Sequence, residues 1–207
     1  MRLKALLCKG SLKHLKHQLR KTPEEHLNDI NEVIEYAREK DIKVNIYLED
    51  WSNGIINCPD YVFYLVENLK SKVDRVMLAD TLGIFNPDNA YLYCKVMLER
   101  FPGVNFDFHA HNDYDLAVAN TYMAVKAGIS CVHTTVNGLG ERAGNAPLAS
   151  VIGCLKDQID DILINVDESK LNRISRIVEA FSGIRIPPNK PITGENVFTQ
   201  TCGVHAD

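Results

Sequence analysis

Two histidines two residues apart, His109 and His111, form the densest chemistry in this 207-residue sequence. They sit in Asn105-Phe-Asp-Phe-His-Ala-His-Asn-Asp113, which alternates as a strand should. Val104, Phe106, Phe108 and Ala110 point one way, and Asn105, Asp107, His109 and His111 the other. Two imidazoles on one strand face can grip a single metal ion. Asn145 offers an amide oxygen as a further ligand, although it also reads as the N-cap of the helix that begins near Pro147. A mixed nitrogen and oxygen donor set with open positions suits zinc, manganese or magnesium.

Other reactive types recur where strands end. Glu49 shares a face with Asn45 and Tyr47. In a barrel interior it is an acid/base or substrate contact, and on a sheet edge it is merely solvated. Asp80-Thr81 ends an apolar strand, where Thr81 can donate to a substrate carboxylate or the pair can form an Asx or Thr turn. Gly138-Leu-Gly140-Glu141-Arg142-Ala143 matches G-x-G-x-x-A between a strand and a helix. It marks Gly138, Gly140, Glu141 and Arg142 as a candidate cofactor-binding loop and leaves a dinucleotide site as an alternative. His133 lies one residue off the inward register expected for its strand, so a structural role is the reading there.

The elements that must carry these residues follow from periodicity and punctuation. Strands are expected at residues 3–8, 42–48, 73–79, 104–111 and 131–136, with helices between them. Thr22-Pro23-Glu24-Glu25 opens the first long helix with a capping box and a proline at its first position. Asn86-Pro87-Asp88 opens another. Five strand-helix alternations mean a parallel sheet with right-handed crossovers. Both a doubly wound open sheet and part of a (βα)8 barrel satisfy that pattern; a full barrel needs eight units and about 250 residues. The α/β unit is expected over residues 1–165 and a C-terminal helix and linker segment over 166–207.

Composition narrows the function classes. A hydrophobic share of 45%, a charged share of 24%, a net charge of -4 and a pI near 6.0 describe an ordinary globular chain. They supply no footprint for nucleic acid or an anionic membrane. The basic stretch from Lys9 to Lys21 has no interleaved aromatics and reads as a solvated loop and helix start. Six scattered cysteines form neither a C-x-x-C pair nor a disulfide framework, which points to a reducing, cytoplasmic setting. The apolar run at the start is too short for a signal h-region, and no segment could span a membrane.

Several ordered motifs together resemble the 2-isopropylmalate synthase and homocitrate synthase family, related to the 3-hydroxy-3-methylglutaryl-CoA lyases. They are Leu48-Glu-Asp50, Asp80-Thr-Leu-Gly83, Phe108-His-Ala-His-Asn-Asp113 with Leu116-Ala-Val-Ala-Asn120, Asn137-Gly-Leu-Gly-Glu-Arg-Ala-Gly-Asn145, Gly194-Glu-Asn196 and Gly203-Val-His-Ala-Asp207. The resemblance implies a (βα)8 TIM barrel, a divalent metal, and condensation of acetyl-CoA with a 2-oxo acid followed by thioester hydrolysis. The expected acceptor is 3-methyl-2-oxobutanoate, giving 2-isopropylmalate for leucine biosynthesis; the alternative is a homocitrate synthase-type reaction with 2-oxoglutarate.

By the same resemblance His109, His111 and Asn145 hold the metal, Thr81 holds the oxo-acid carboxylate, and Glu49 and His205 are catalytic. In relatives the histidine matching His205 reaches into a neighbouring subunit, which implies a homodimer. The family's arginine-aspartate-glycine motif of the first strand, with its aspartate ligand, is missing. The five units are therefore expected to be strands four to eight of the family barrel. The isolated chain is expected to show little or no synthase activity, or to act as an inert barrel fragment that needs a partner chain.

Overall fold

The computed structural model describes residues 2–199. Five parallel strands pair in chain order: β1 (Arg2–Lys9), β2 (Ile42–Glu49), β3 (Val76–Asp80), β4 (Phe106–Ala110) and β5 (Cys131–His133). Every neighbour pair is parallel. The interposed helices are α2 (Pro23–Glu39), α3 (Trp51–Asn57) with α4 (Pro59–Leu69), α5 (Pro87–Arg100) and α6 (Ala117–Ala127). A one-turn helix α1 (Leu12–His14) and a π-helical turn (Leu15–Leu19) occupy the basic stretch after β1. This is a partial (βα)8 barrel of five units, which selects the barrel over the doubly wound sheet.

Local grammar explains where the helices begin. The Thr22 hydroxyl accepts from the Glu25 N–H while the Glu25 carboxylate accepts from the Thr22 N–H, so two otherwise unpaired amides are satisfied at the start of α2. Asn86 caps α5 through the Asn89 N–H at 2.8 Å. The strands alternate as expected. Leu48, Leu78 and Phe108 stand in one register row and are fully buried. Burial of each such side chain stabilises the fold by roughly 1.5–3 kcal/mol. The opposite face carries Tyr47, Met77, Asp107 and Cys131 in one row, and Ala79, His109 and His133 in the next.

The chain divides into two compact units after His133. The boundary expected near residue 165 lies inside the second unit because the 3-10 turn Val136–Gly138 packs against both α7 (Leu148–Gln158) and α8 (Leu171–Ser182). The second unit has a small core of Ala149, Ile152 and Leu171, with Leu148 and Ile164 packed on it. Gly183, at φ 72°, closes α8 in the left-handed conformation that glycine adopts without strain.

Candidate active site

β4 holds His109 and delivers His111 one residue past its end, where the His111 N–H donates to the Asp80 carbonyl at 3.2 Å. The two imidazole rings lie edge to face with centroids 5.1 Å apart. Burial, reinforced by the charges that His111 and His133 would carry, pushes His109 down to about 3. Its imidazole is therefore neutral across the physiological range, the state a metal requires. Tyr47 and His133 flank His109 at ring-centroid distances of 5.4 and 5.6 Å.

His133 departs from the sequence expectation. Register pairs His109 with His133, so both lie on the same face. A three-residue strand carries too little alternation for its offset to be legible in the sequence. His133 Nε2 lies 3.3 Å from Asp107 Oδ2, and the Arg75 Nε donates to Asp107 Oδ1 at 2.6 Å. Burial works against the Asp107 carboxylate, but the bonds from His133 and Arg75 outweigh it and hold the group below its ordinary value.

Donor atoms of Asp107, Cys131 and His133 fall within 4.8 Å of one another, close enough to consider a metal. The geometry fits an ionic anchor better. The Arg75 guanidinium already occupies the carboxylate, and burial first, then Asp107, raises the Cys131 thiol and disfavours the thiolate a metal needs.

Glu49 ends β2, an inner strand of the sheet, so the edge reading does not apply. Its register partner on β1 is Lys9, and the two side chains form an ion pair with 14% and 22% of their side-chain surface exposed for Lys9 and Glu49. The Lys9 backbone is held from the other side. Its N–H donates to His26 Nε2 at 3.4 Å, and its carbonyl accepts from the Tyr61 hydroxyl at 3.1 Å. His26 Nδ1 lies 2.8 Å from the Tyr61 oxygen. An accepting Nε2 puts the ring proton on Nδ1, so one neutral tautomer satisfies all three contacts. Burial lowers His26 and raises Tyr61, which keeps both neutral.

Thr81 and Asp80 organise the end of β3. The Asp50 N–H donates to Thr81 Oγ1 at 2.8 Å. The fully buried Asp80 carboxylate accepts from the Ile84 and Phe85 N–H groups at 3.0 and 3.1 Å, which forms the turn after β3 and leaves the expected Thr81 substrate contact a separate matter. Asp50 is also fully buried; the Ser11 hydroxyl donates to it at 2.6 Å and the Asn53 amide at 2.7 Å.

In the second unit the glycine-rich loop folds on itself. Gly144 has φ 84°, and a Cβ there would stand 1.9 Å from the Gly138 carbonyl oxygen. A Cβ on Gly140 would meet the Asn145 amide nitrogen at 2.1 Å. This close approach lets the Asn145 side-chain N–H donate to the Leu139 carbonyl at 3.0 Å. The amide is thereby oriented, and its Oδ1 is left buried with no hydrogen-bond partner among the described residues. Asn145 does not cap the next helix, whose N-cap position is Pro147. A buried, unmatched carbonyl oxygen fits a metal ligand, as does the neutral His109. His205, the remaining expected catalytic residue, lies outside the described residues.

The HMGL-like family model matches residues 5–178. The chain belongs to the HMGL-like family. It is 41% identical over 196 residues to a homocitrate synthase from Sulfolobus acidocaldarius, covering 93% of this chain and 40% of that protein. A Methanopyrus kandleri protein named as an (R)-citramalate synthase is 38% identical, covering 94% of this chain and 38% of its own length. Among solved structures, a Bacillus subtilis HMG-CoA lyase superposes with a TM-score of 0.77 at 24% identity, covering 90% of this chain and 65% of the lyase. The HMGL-like chain thus spans about two-fifths of the length of those synthases.

Three features of this HMGL-like site escaped the sequence: the Lys9 partner of Glu49, the Arg75–Asp107–His133 anchor, and the buried Asp50. Only the polar row Asn45-Tyr47-Glu49 hinted that the strand face was functional.

Proposed function

We propose that this chain supplies the metal-binding and acid/base portion of a site that condenses acetyl-CoA with a 2-oxo acid. The observation that carries the reading is the pair of adjacent imidazoles at the end of β4, one of them neutral well below pH 7. His109 and His111 are the proposed holders of a divalent cation (zinc, manganese or magnesium), and the family resemblance adds the Asn145 amide oxygen as a proposed ligand. When bound, such a cation would polarise the ketone of the oxo acid.

The remaining steps fall to protein groups. A base takes a proton from the acetyl methyl group, and the resulting carbanion forms the carbon–carbon bond to the ketone carbon as the C=O π pair moves onto oxygen, which takes up a proton; water then cleaves the thioester C–S bond and CoA leaves as its thiol. Glu49 is the proposed proton carrier on this chain, its carboxylate set in place by Lys9. Thr81 is proposed to meet the substrate carboxylate. The synthases named above support a homocitrate- or citramalate-type acceptor more than 3-methyl-2-oxobutanoate. For the first acceptor this means 2-oxoglutarate.

Binding of Mn²⁺ followed by electron paramagnetic resonance tests the carrying observation. The parent chain should bind the ion and His109→Ala and His111→Ala should bind it more weakly; equal stoichiometry and affinity in all three would remove the proposed site. In an assembly completed by the missing strands, release of CoA with each oxo acid then ranks the acceptors. A higher kcat/KM for 3-methyl-2-oxobutanoate than for 2-oxoglutarate would restore the isopropylmalate reading.

A further inference from the structure

Three hydrogen bonds close a ring behind the Lys9–Glu49 pair. The Lys9 N–H donates to His26 Nε2 at 3.4 Å, His26 Nδ1–H donates to the Tyr61 oxygen at 2.8 Å, and the Tyr61 hydroxyl donates to the Lys9 carbonyl at 3.1 Å. Each residue of the ring gives one bond and accepts one. That matters here because His26 and Tyr61 are each only 4% exposed, where an unmatched polar group is costly. Both side chains also start from fixed points. His26 follows directly on the capping box of α2, and its N–H donates to the Thr22 carbonyl at 3.0 Å. Tyr61 lies in the first turn of α4, just after Pro59.

β1 has only β2 as a strand neighbour among the described residues. A lysine at the end of such a strand carries a charge on a long flexible stem, and holding it in one place costs side-chain entropy. The ring removes the backbone share of that freedom, and the next residue completes the hold: the Gly10 N–H donates to the Glu49 carbonyl at 2.6 Å. We propose that His26 and Tyr61 are positioning residues for Glu49. By fixing the Lys9 backbone they keep its ammonium against the Glu49 carboxylate, so two helix side chains set the orientation of a strand carboxylate they do not touch. The clamp itself rests on this geometry, whereas the use of Glu49 as a proton carrier rests on the proposed function.

Competitive labelling of the lysines of the 207-residue chain with acetic anhydride, read by mass spectrometry, measures how firmly the Lys9 ammonium is held. In the parent Lys9 should react far more slowly than the exposed Lys126. Tyr61→Phe should speed Lys9 labelling relative to Lys126 by about three- to tenfold, the change that losing one hydrogen bond makes in a local opening equilibrium. Glu49→Gln should also speed it, by removing the counter-ion. His26→Phe should have at least the effect of Tyr61→Phe, and His26→Gln, whose side-chain oxygen can still accept from the Lys9 N–H, should recover part of the protection. Lys9 labelling equal in parent and variants, or a rise shared by every lysine, overturns the clamp. In the parent alone, long-range nitrogen–proton correlation should place the His26 ring proton on Nδ1; a proton on Nε2 overturns the ring without recourse to any variant. Protection lost as expected, together with CoA release undiminished by Glu49→Gln in an assembly completed by the missing strands, keeps the clamp and counts against the proton-carrying role instead.

Discussion

Replacing Asp107 by asparagine removes a buried charge without changing the side chain's shape. The parent carboxylate is 2% exposed and is held by Arg75 at 2.6 Å and His133 at 3.3 Å. Breaking a fully buried ion pair costs about 3–5 kcal/mol because its partner is left uncompensated. Arg75 keeps 29% of its side chain exposed, so water repays part of that loss and the expected cost falls to about 2–3 kcal/mol. For a chain of this size the melting temperature should drop by about 4–12 °C.

Acid sensitivity gives a second reading of the same group. The folded carboxylate titrates below its ordinary value of 3.8, so its stabilisation is fully present above that pH. It is lost as pH falls through the lower, folded value. The parent should therefore lose stability below about pH 4 more steeply than Asp107→Asn, whose curve lacks this contribution. Thermal melts from pH 7 to pH 2.5 measure both effects. A change under about 0.5 kcal/mol at neutral pH, the range of ordinary surface substitutions, together with parallel acid limbs would refute the anchor.

Two further predictions probe the frame around the sites. Gly144→Ala should cost about 1–3 kcal/mol, because φ 84° and the Gly138 carbonyl both oppose a Cβ. It should also weaken metal binding at Asn145, while a melting temperature and Mn²⁺ affinity equal to the parent's would show that the loop yields freely. Thr22→Ala removes one half of the capping box and should cost about 1 kcal/mol in urea unfolding, with a native-like spectrum; no change would place the start of α2 under tertiary control alone.

Much of the frame was legible in the sequence because it depends on near neighbours. The capping box at Thr22, the cap at Asn86 and the alternation around His109 are local, and each is found where the sequence puts it. The short helix α3 was not legible: Trp51–Asn57 has a glycine inside and begins after Asp50 at φ 61°. The Asx turn open to Asp80-Thr81 was legible only as one of two alternatives, and its partners, the N–H groups of Ile84 and Phe85, came from the fold.

What the amino-acid order determined by itself was the succession of the five strands and the long helices and the shared face of His109 with Asp107, since period-two and 3.6-residue patterns are written locally. Register and partners belonged to the tertiary structure. Lys9 meets Glu49 across 40 residues, Arg75 meets Asp107 across 32, and His133 pairs beside His109. Such contacts depend on how strands separated by whole helices slide against one another, and a slip of one residue would turn each side chain to the opposite face.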